Sequence, residues 1–207
     1  MRTINDLIEL IKDNYPAADT TMVQLAYDFA DKAHSGQKRL DGTNYIQHCL
    51  ETACTLAKLK LDIDTITAGL LHDVPEDTEV TIEEVEKNFG KEVSKLVRGI
   101  TKLGKIKYRG LERYAENLRK MFVAMAQDVR VIFIKLADRL HNLQTLDSLP
   151  PVKQQRIARE TLEIYAPIAN RLGMGELKGQ LEDAAFKYVY PDEYAWTVKV
   201  ASERYEM

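Results

Sequence analysis

The stretch Leu70-Leu71-His72-Asp73-Val74-Pro75-Glu76-Asp77-Thr78 decides how this chain is read. An apolar run ends in an adjacent His-Asp pair, and two more acids follow within a turn. A helix closing on polar capping residues would look much the same, and a His-Asp dipeptide alone carries little information. Two residues elsewhere add weight. His48 lies on the apolar face of the helical pattern Tyr45–Leu59, beside Thr52 and Ala53. Asp138 lies in Ile134-Lys135-Leu136-Ala137-Asp138-Arg139-Leu140, within the most apolar helical stretch of the chain. A buried carboxylate is costly unless it is paired or bound to a cation. Two histidines and two aspartates on three helices would form a mixed nitrogen and oxygen site. Such donors suit manganese, iron or zinc better than magnesium or calcium. Two carboxylates would balance the charge of a divalent ion.

Around this stretch the hydrophobic spacing is helical almost throughout. In Met22–Ala33 the residues Leu25, Ala26, Phe29, Ala30 and Ala33 recur every three or four positions, as one buried face requires. Asp62 is placed to cap a helix over Ile63–Asp73. Thr81-Ile82-Glu83-Glu84 reads as a capping box, Gly90 as the end of that short helix, and Lys91–Leu103 as the next one. Further helices are expected over Tyr114–Met125, Pro151–Tyr165, Glu176–Val189 and Pro191–Tyr205, with Pro151 and Pro191 at first helical positions. Val129–Ile134 has the β-branched content of a strand, but no partner of similar character exists. It is read as part of a buried helix, Val129–Leu143, capped by Asp128. Loops fall at Lys38–Asn44, Pro75–Val80, Gly104–Gly110 and Asp147–Pro150. The expectation is an all-α single domain of roughly ten helices.

Composition narrows the function classes. With 45% apolar residues, 207 residues bury a sizeable core, which excludes disordered and fibrous classes. Cys49 and Cys54 are too few for a disulfide framework or a cysteine-rich zinc site. No basic leader or spanning segment is visible, so a cytoplasmic location is expected. A net charge of −3 gives no general reason to bind nucleic acid or a membrane. That total hides an asymmetry. Eight cations and only two acids, Glu112 and Glu116, lie between Arg98 and Lys120, so the segment is +6 and the remainder −9. Such a run reads equally as a solvated face or as a basic flap over a phosphorylated ligand. If neutralising Lys105, Lys107 and Arg109 together left the substrate KM unchanged, the flap reading would fail.

The order His48, His72-Asp73, Asp138 resembles the HD-domain phosphohydrolases. Ala33-His34-Ser35-Gly36-Gln37, Tyr45-Ile46-Gln47-His48, the 72–78 stretch, Lys135–Leu146 and Ile164–Tyr188 together resemble the hydrolase domain of RelA/SpoT homologues. The likeness covers about residues 20 to 195. It implies an HD phosphohydrolase fold and hydrolysis of the 3′-pyrophosphate of guanosine tetra- and pentaphosphate, the alarmones of the stringent response. It implies one manganese ion, with iron or zinc open, on His48, His72, Asp73 and Asp138. Glu76 and Asp77 match the family's acidic pair, which positions water and moves protons. Arg39 matches an arginine packed on the guanine, Asn142 a ribose contact and Thr145 a further nucleotide contact. Capping or solvated roles remain open for all five residues. His34 and His141 are expected to support the fold or the surroundings of the site, and Tyr45 to pack.

The resemblance sets residues 1–195 as the hydrolase domain and 196–207 as the end of a helix that could connect onward. The helical pattern runs unbroken through Ser202–Met207, which fits a piece of a longer bifunctional enzyme better than a natural small hydrolase. Three positions depart from the family pattern. Cys49 follows His48 where proline is common, Leu40-Asp41 replaces a pair that is often Lys-Ser or Ser-Ser, and Pro75 replaces a frequent valine. The change at Leu40-Asp41 bears on the strength of nucleotide contact there. Other readings are a phosphohydrolase of another nucleotide, an alarmone-binding module without turnover, and a purely structural helical domain. A sensor needs neither the full donor set nor Glu76 and Asp77, and a structural domain leaves buried histidines and acids unexplained. The substrate is the expected partner, with no nucleic acid and no membrane; oligomeric state stays open.

Overall fold

In the computed structural model the chain is described at residues 2–104, 119, 122–123 and 126–205. The expected helix Tyr114–Met125, the loop Gly104–Gly110 past its first residue, and most of the basic run fall largely outside the described residues. Every described regular element is helical, apart from one isolated bridge between Lys38 and Asn44. No helix among the described residues is long and apolar enough to cross a membrane. The chain groups into two compact units, Met1–Asp138 and Arg139–Met207.

The first unit is built around one short helix. It begins with α1 (Ile4–Asn14), α2 (Thr21–Ala33), α3 (Tyr45–Lys58) and α4 (Ile63–Leu71). α4 packs against α2, α3 and α6 (Ile82–Gly104). It can occupy the centre because seven of its nine residues, Thr65 to Leu71, are buried. Gly69 allows the close approach to α3: a Cβ there would lie 2.5 Å from Leu56 Cδ1. The expected cap holds, since Asp62 Oδ1 accepts the Thr65 N–H at 3.0 Å.

α4 stops before the expected Asp73. A one-turn helix, α5 (Val74–Asp77), takes the place of the first half of the loop read at Pro75–Val80. Pro75 suits this turn because a first-turn N–H needs no helical partner. The capping box is present: Glu84 Oε2 accepts from the Thr81 N–H at 2.8 Å, and Thr81 Oγ1 from the Glu84 N–H at 3.3 Å. Gly90 breaks α6 as expected, with φ 84° and ψ 175°, a region glycine enters without a Cβ clash. The α2 face differs in detail from the sequence reading. Val23, Ala26 and Ala30 are buried, while Leu25 is 50% exposed.

The β-branched stretch is helical, in α7 (Arg130–Gln144). Asp128 Oδ1 accepts the Arg130 N–H at 3.0 Å. Val131, Ile134 and Ala137 join the core of the first unit.

In the second unit, α8 (Pro151–Glu160) does not stop at Tyr165. A widened turn over Thr161–Tyr165 leads directly into α9 (Ala166–Arg171). There the Ala166 N–H reaches back five residues to the Thr161 carbonyl. Pro167, next in sequence, lacks an N–H and would clash in a regular turn, so local widening keeps the chain helical. α10 (Gly175–Val189) packs on α8, α9 and α11 (Pro191–Tyr205).

Candidate metal centre

Three separate segments of the first unit deliver four donors to one point. His48 comes from the second turn of α3, His72 and Asp73 from the break between α4 and α5, and Asp138 from α7. Successive residues of an unbroken helix point about 100° apart, so the break matters: it brings His72 Nε2 within 3.1 Å of Asp73 Oδ2. Asp73 Oδ2 is also 3.3 Å from His48 Nε2. Asp138 Oδ1 lies 3.3 Å from His48 Nε2 and 3.9 Å from His72 Nε2. His48, His72 and Asp138 offer one ligand atom each within 4.8 Å of one another, and all three are buried. Ligand bonds of about 2.0–2.2 Å would space neighbouring donors roughly 3–3.5 Å apart. Spacings of 3.1–3.9 Å come close to what one small cation would need.

Local hydrogen bonding favours the same conclusion. His72 Nδ1 is 2.8 Å from the Gly69 carbonyl oxygen, which holds a proton on Nδ1 and makes Nε2 the nitrogen free to bind a metal. Metal-bound histidines are held in this way. His72 Nε2 is buried and faces Asp73 Oδ2. Lys135 Nζ donates to Asp138 Oδ2 at 2.7 Å, leaving Oδ1 toward the histidines.

The electrostatics follow from two carboxylates crowded against two imidazoles. Burial disfavours an imidazolium at His72, but the charges of Asp73 and Asp138 outweigh it and push the group up to about 9. Burial also works against the charge on Asp138, yet Lys135, His72 and His48 hold its carboxyl well below the usual range. Asp73 is held down by the same histidines against its own burial. A divalent cation can take over the compensation that the His72 proton supplies in its absence.

Glu76 and Asp77 follow on α5, both exposed. Partial desolvation and the nearby Asp73 charge raise the Glu76 carboxyl. Arg39 lies in the turn between α2 and α3, where its N–H donates to the Thr43 carbonyl at 2.9 Å. Asp41 builds that turn: its Oδ1 accepts from the Thr43 N–H at 2.9 Å and from Thr43 Oγ1 at 2.6 Å. The carboxylate that departs from the family pattern thus shapes the loop. Asn142 and Thr145 belong to the second unit. Asn142 follows Asp138 by one turn of α7, and Thr145 Oγ1 donates to the His141 carbonyl at 3.2 Å.

Two residues exceed their sequence reading. Tyr45, expected to pack, places its hydroxyl 2.9 Å from Asp73 Oδ2 and 2.7 Å from Asp77 Oδ2. Lys135, read only as part of a motif, neutralises one side of Asp138. Both carried a faint signal. Tyr45 precedes His48 by three residues and Lys135 precedes Asp138 by three, which is one helical turn.

Residues 26–175 match the family model described as HD domain. The chain is 50% identical over 195 residues to the bifunctional (p)ppGpp synthase/hydrolase SpoT of Escherichia coli (strain K12), covering 94% of this chain and 28% of that protein. It is 49% identical over 192 residues to the guanosine-3′,5′-bis(diphosphate) 3′-pyrophosphohydrolase of Aquifex aeolicus, covering 93% and 27%. It is 48% identical over 204 residues to the GTP pyrophosphokinase of Streptomyces coelicolor, covering 97% and 24%. The chain thus spans about a quarter of the length of these curated relatives. Among solved structures, one titled as a metazoan ortholog of SpoT that hydrolyses ppGpp superposes with a TM-score of 0.57 at 26% identity, covering 83% of this chain and 97% of that one.

Proposed function

This chain belongs to the HD-domain family, in its RelA/SpoT branch, and from that premise we propose that it removes the 3′-pyrophosphate from guanosine tetra- and pentaphosphate. The products are pyrophosphate and GDP or GTP. Relatives bear names for the synthetic and the hydrolytic activity alike. The observation that carries the hydrolytic reading is the convergence of His48, His72, Asp73 and Asp138 with Glu76 and Asp77 alongside.

The four donors fit a single divalent cation, and manganese suits their nitrogen and oxygen mixture. When bound, such an ion draws charge from phosphoryl oxygens and acidifies water. The protein groups do the rest. His48 and His72 supply neutral donors, and Asp73 and Asp138 supply the compensating charge. Lys135 keeps the second oxygen of Asp138 occupied. Glu76, raised toward neutrality, is suited to exchange a proton with the attacking water, and Asp77 orients that water. The water oxygen bonds the phosphorus, its proton passes to the acidic pair, and the 3′-oxygen departs with the electron pair of the broken bond and takes up a proton to become the hydroxyl of GDP or GTP. The resemblance assigns Arg39 to the guanine face, where a planar guanidinium stacks well. It assigns Asn142 and Thr145 to the nucleotide as well.

The test is pyrophosphate release from guanosine tetraphosphate in the presence of manganese. Wild type should release it, and Asp138→Ala should lose bound metal and turnover together. Tight nucleotide binding without release would favour an alarmone-binding module. Release from simple triphosphates but not from the alarmone would favour a different phosphohydrolase. Full activity in Asp138→Ala would overturn the ligand assignment.

A further inference from the structure

Tyr45 opens α3, one turn before His48. An aromatic residue at that spacing reads as packing, but its hydroxyl lies between two carboxylates of different function. Asp73 Oδ2 belongs to the donor cluster and is 2.9 Å away. Asp77 Oδ2 belongs to the acidic pair and is 2.7 Å away. A phenol has one proton to donate. It therefore serves both acids in turn and holds them at a fixed separation around one oxygen.

The ring is held from two sides. It stacks on His34 with centroids 4.5 Å apart and planes 18° from parallel. Its edge meets His48 at 5.8 Å and 82°. His34 is itself buried, and its Nδ1 lies 2.8 Å from Gln37 Oε1. Gln37 Nε2 donates to the Asp77 main-chain carbonyl at 2.8 Å. Asp77 is thus tied twice, at its carboxylate by Tyr45 and at its backbone by Gln37. Both ties lead back to the His34–Tyr45 stack. Without them the exposed Asp77 would follow solvent, and Asp73 could rotate its carboxylate away from the two imidazoles.

We propose that Tyr45 is a positioning residue of this site, with the His34 ring as its support. Its hydroxyl, shared between the two carboxylates, sets Asp73 toward the cation and Asp77 toward the reacting water. The Asp77 half rests on the hydrolytic function proposed above; the Asp73 half concerns cation binding alone. Partners of metal ligands typically carry about 10–100-fold in affinity or activity.

Tyr45→Phe is the test, since it keeps the ring and the stack and removes only the hydroxyl. Three quantities are measured: the manganese dissociation constant by calorimetry, kcat and KM on guanosine tetraphosphate at saturating manganese, and the melting temperature. The dissociation constant should weaken by about tenfold or more, and kcat should fall by about tenfold or more. KM should stay within about twofold and the melting temperature should hold, because apolar packing is preserved. In an Asp77→Ala background the same substitution should lose most of its effect on kcat and keep its effect on manganese. Wild-type affinity and wild-type kcat in Tyr45→Phe would overturn the proposal. So would an equal kcat loss with and without Asp77, or a loss that merely tracks a lowered melting temperature. If the wild type released no pyrophosphate, the functional reading would fail while the manganese measurement still decided the Asp73 half.

Discussion

Manganese binding should release the proton that His72 holds in the metal-free protein. In the metal-free protein Asp73 and Asp138 raise the buried His72 to about 9. Its Nδ1 proton is committed to the Gly69 carbonyl, so the proton lost on metal binding is the one on Nε2. Below pH 9, His72 contributes one released proton per ion bound. The apparent affinity should then rise about tenfold per pH unit, or roughly a hundredfold and ~2.7 kcal/mol between pH 6 and 8. The slope should flatten above pH 9. Stability of the chelated protein should carry the opposite imprint. A histidine raised above its ordinary 6.5 stabilises the fold fully below that pH and loses the contribution as pH climbs through 9, at most about 3 kcal/mol. Asp73 and Asp138, held below the ordinary 3.8, stabilise above that value and lose the effect as pH falls. Chelated protein should therefore melt highest in mildly acidic buffer, and excess manganese should move the optimum upward. Calorimetric titration in two buffers of different ionisation enthalpy counts the proton directly. No proton released, or an affinity independent of pH between 6 and 8, would refute the reasoning.

Three further outcomes are expected. Glu76→Gln should keep its manganese while hydrolysis falls by about 10²–10⁴-fold, as metal analysis and turnover on one sample would show. Gly69→Ala should lower stability by up to about 2 kcal/mol in denaturant melts. Its Cβ would meet the fully buried Leu56 Cδ1 at 2.5 Å, an overpacking cost of about 1–3 kcal/mol that exceeds the gain in helix propensity of about 1 kcal/mol. The same substitution should weaken manganese binding, because Gly69 also accepts from His72; unchanged affinity would show that α4 can shift without moving the ring.

Much of the site could be read from the sequence because buried polar residues are costly and therefore conspicuous. His48, His72 and Asp138 each stood in an apolar helical pattern, and the structure buries all three. The strand-like Val129–Ile134 has no strand of similar character to pair with, which points to a helix, and α7 bears that out. Other features needed tertiary context. Tyr45 differs from a packing aromatic only through what lies beyond its hydroxyl, and its two acids come from another segment of the chain. Two prolines also take their roles from their surroundings: Pro75, read in a loop, and Pro167. One instead starts a single helical turn, and the other is carried through by a widened turn. The α2 face was misread at Leu25, where both neighbouring registers offered apolar residues and packing chose Val23.

The four donors are spread from residue 48 to residue 138, and this spacing makes the cation a reporter on the whole first unit. An extended chain cannot gather them, so the ion distinguishes folded from unfolded molecules almost completely. Free manganese at a hundred times its dissociation constant would add about 2.7 kcal/mol and cut the unfolded population about a hundredfold. A protease that cleaves only opened molecules would therefore read the manganese supply through this fold. Scarcity of the ion would then shorten the life of the protein as well as slow its chemistry.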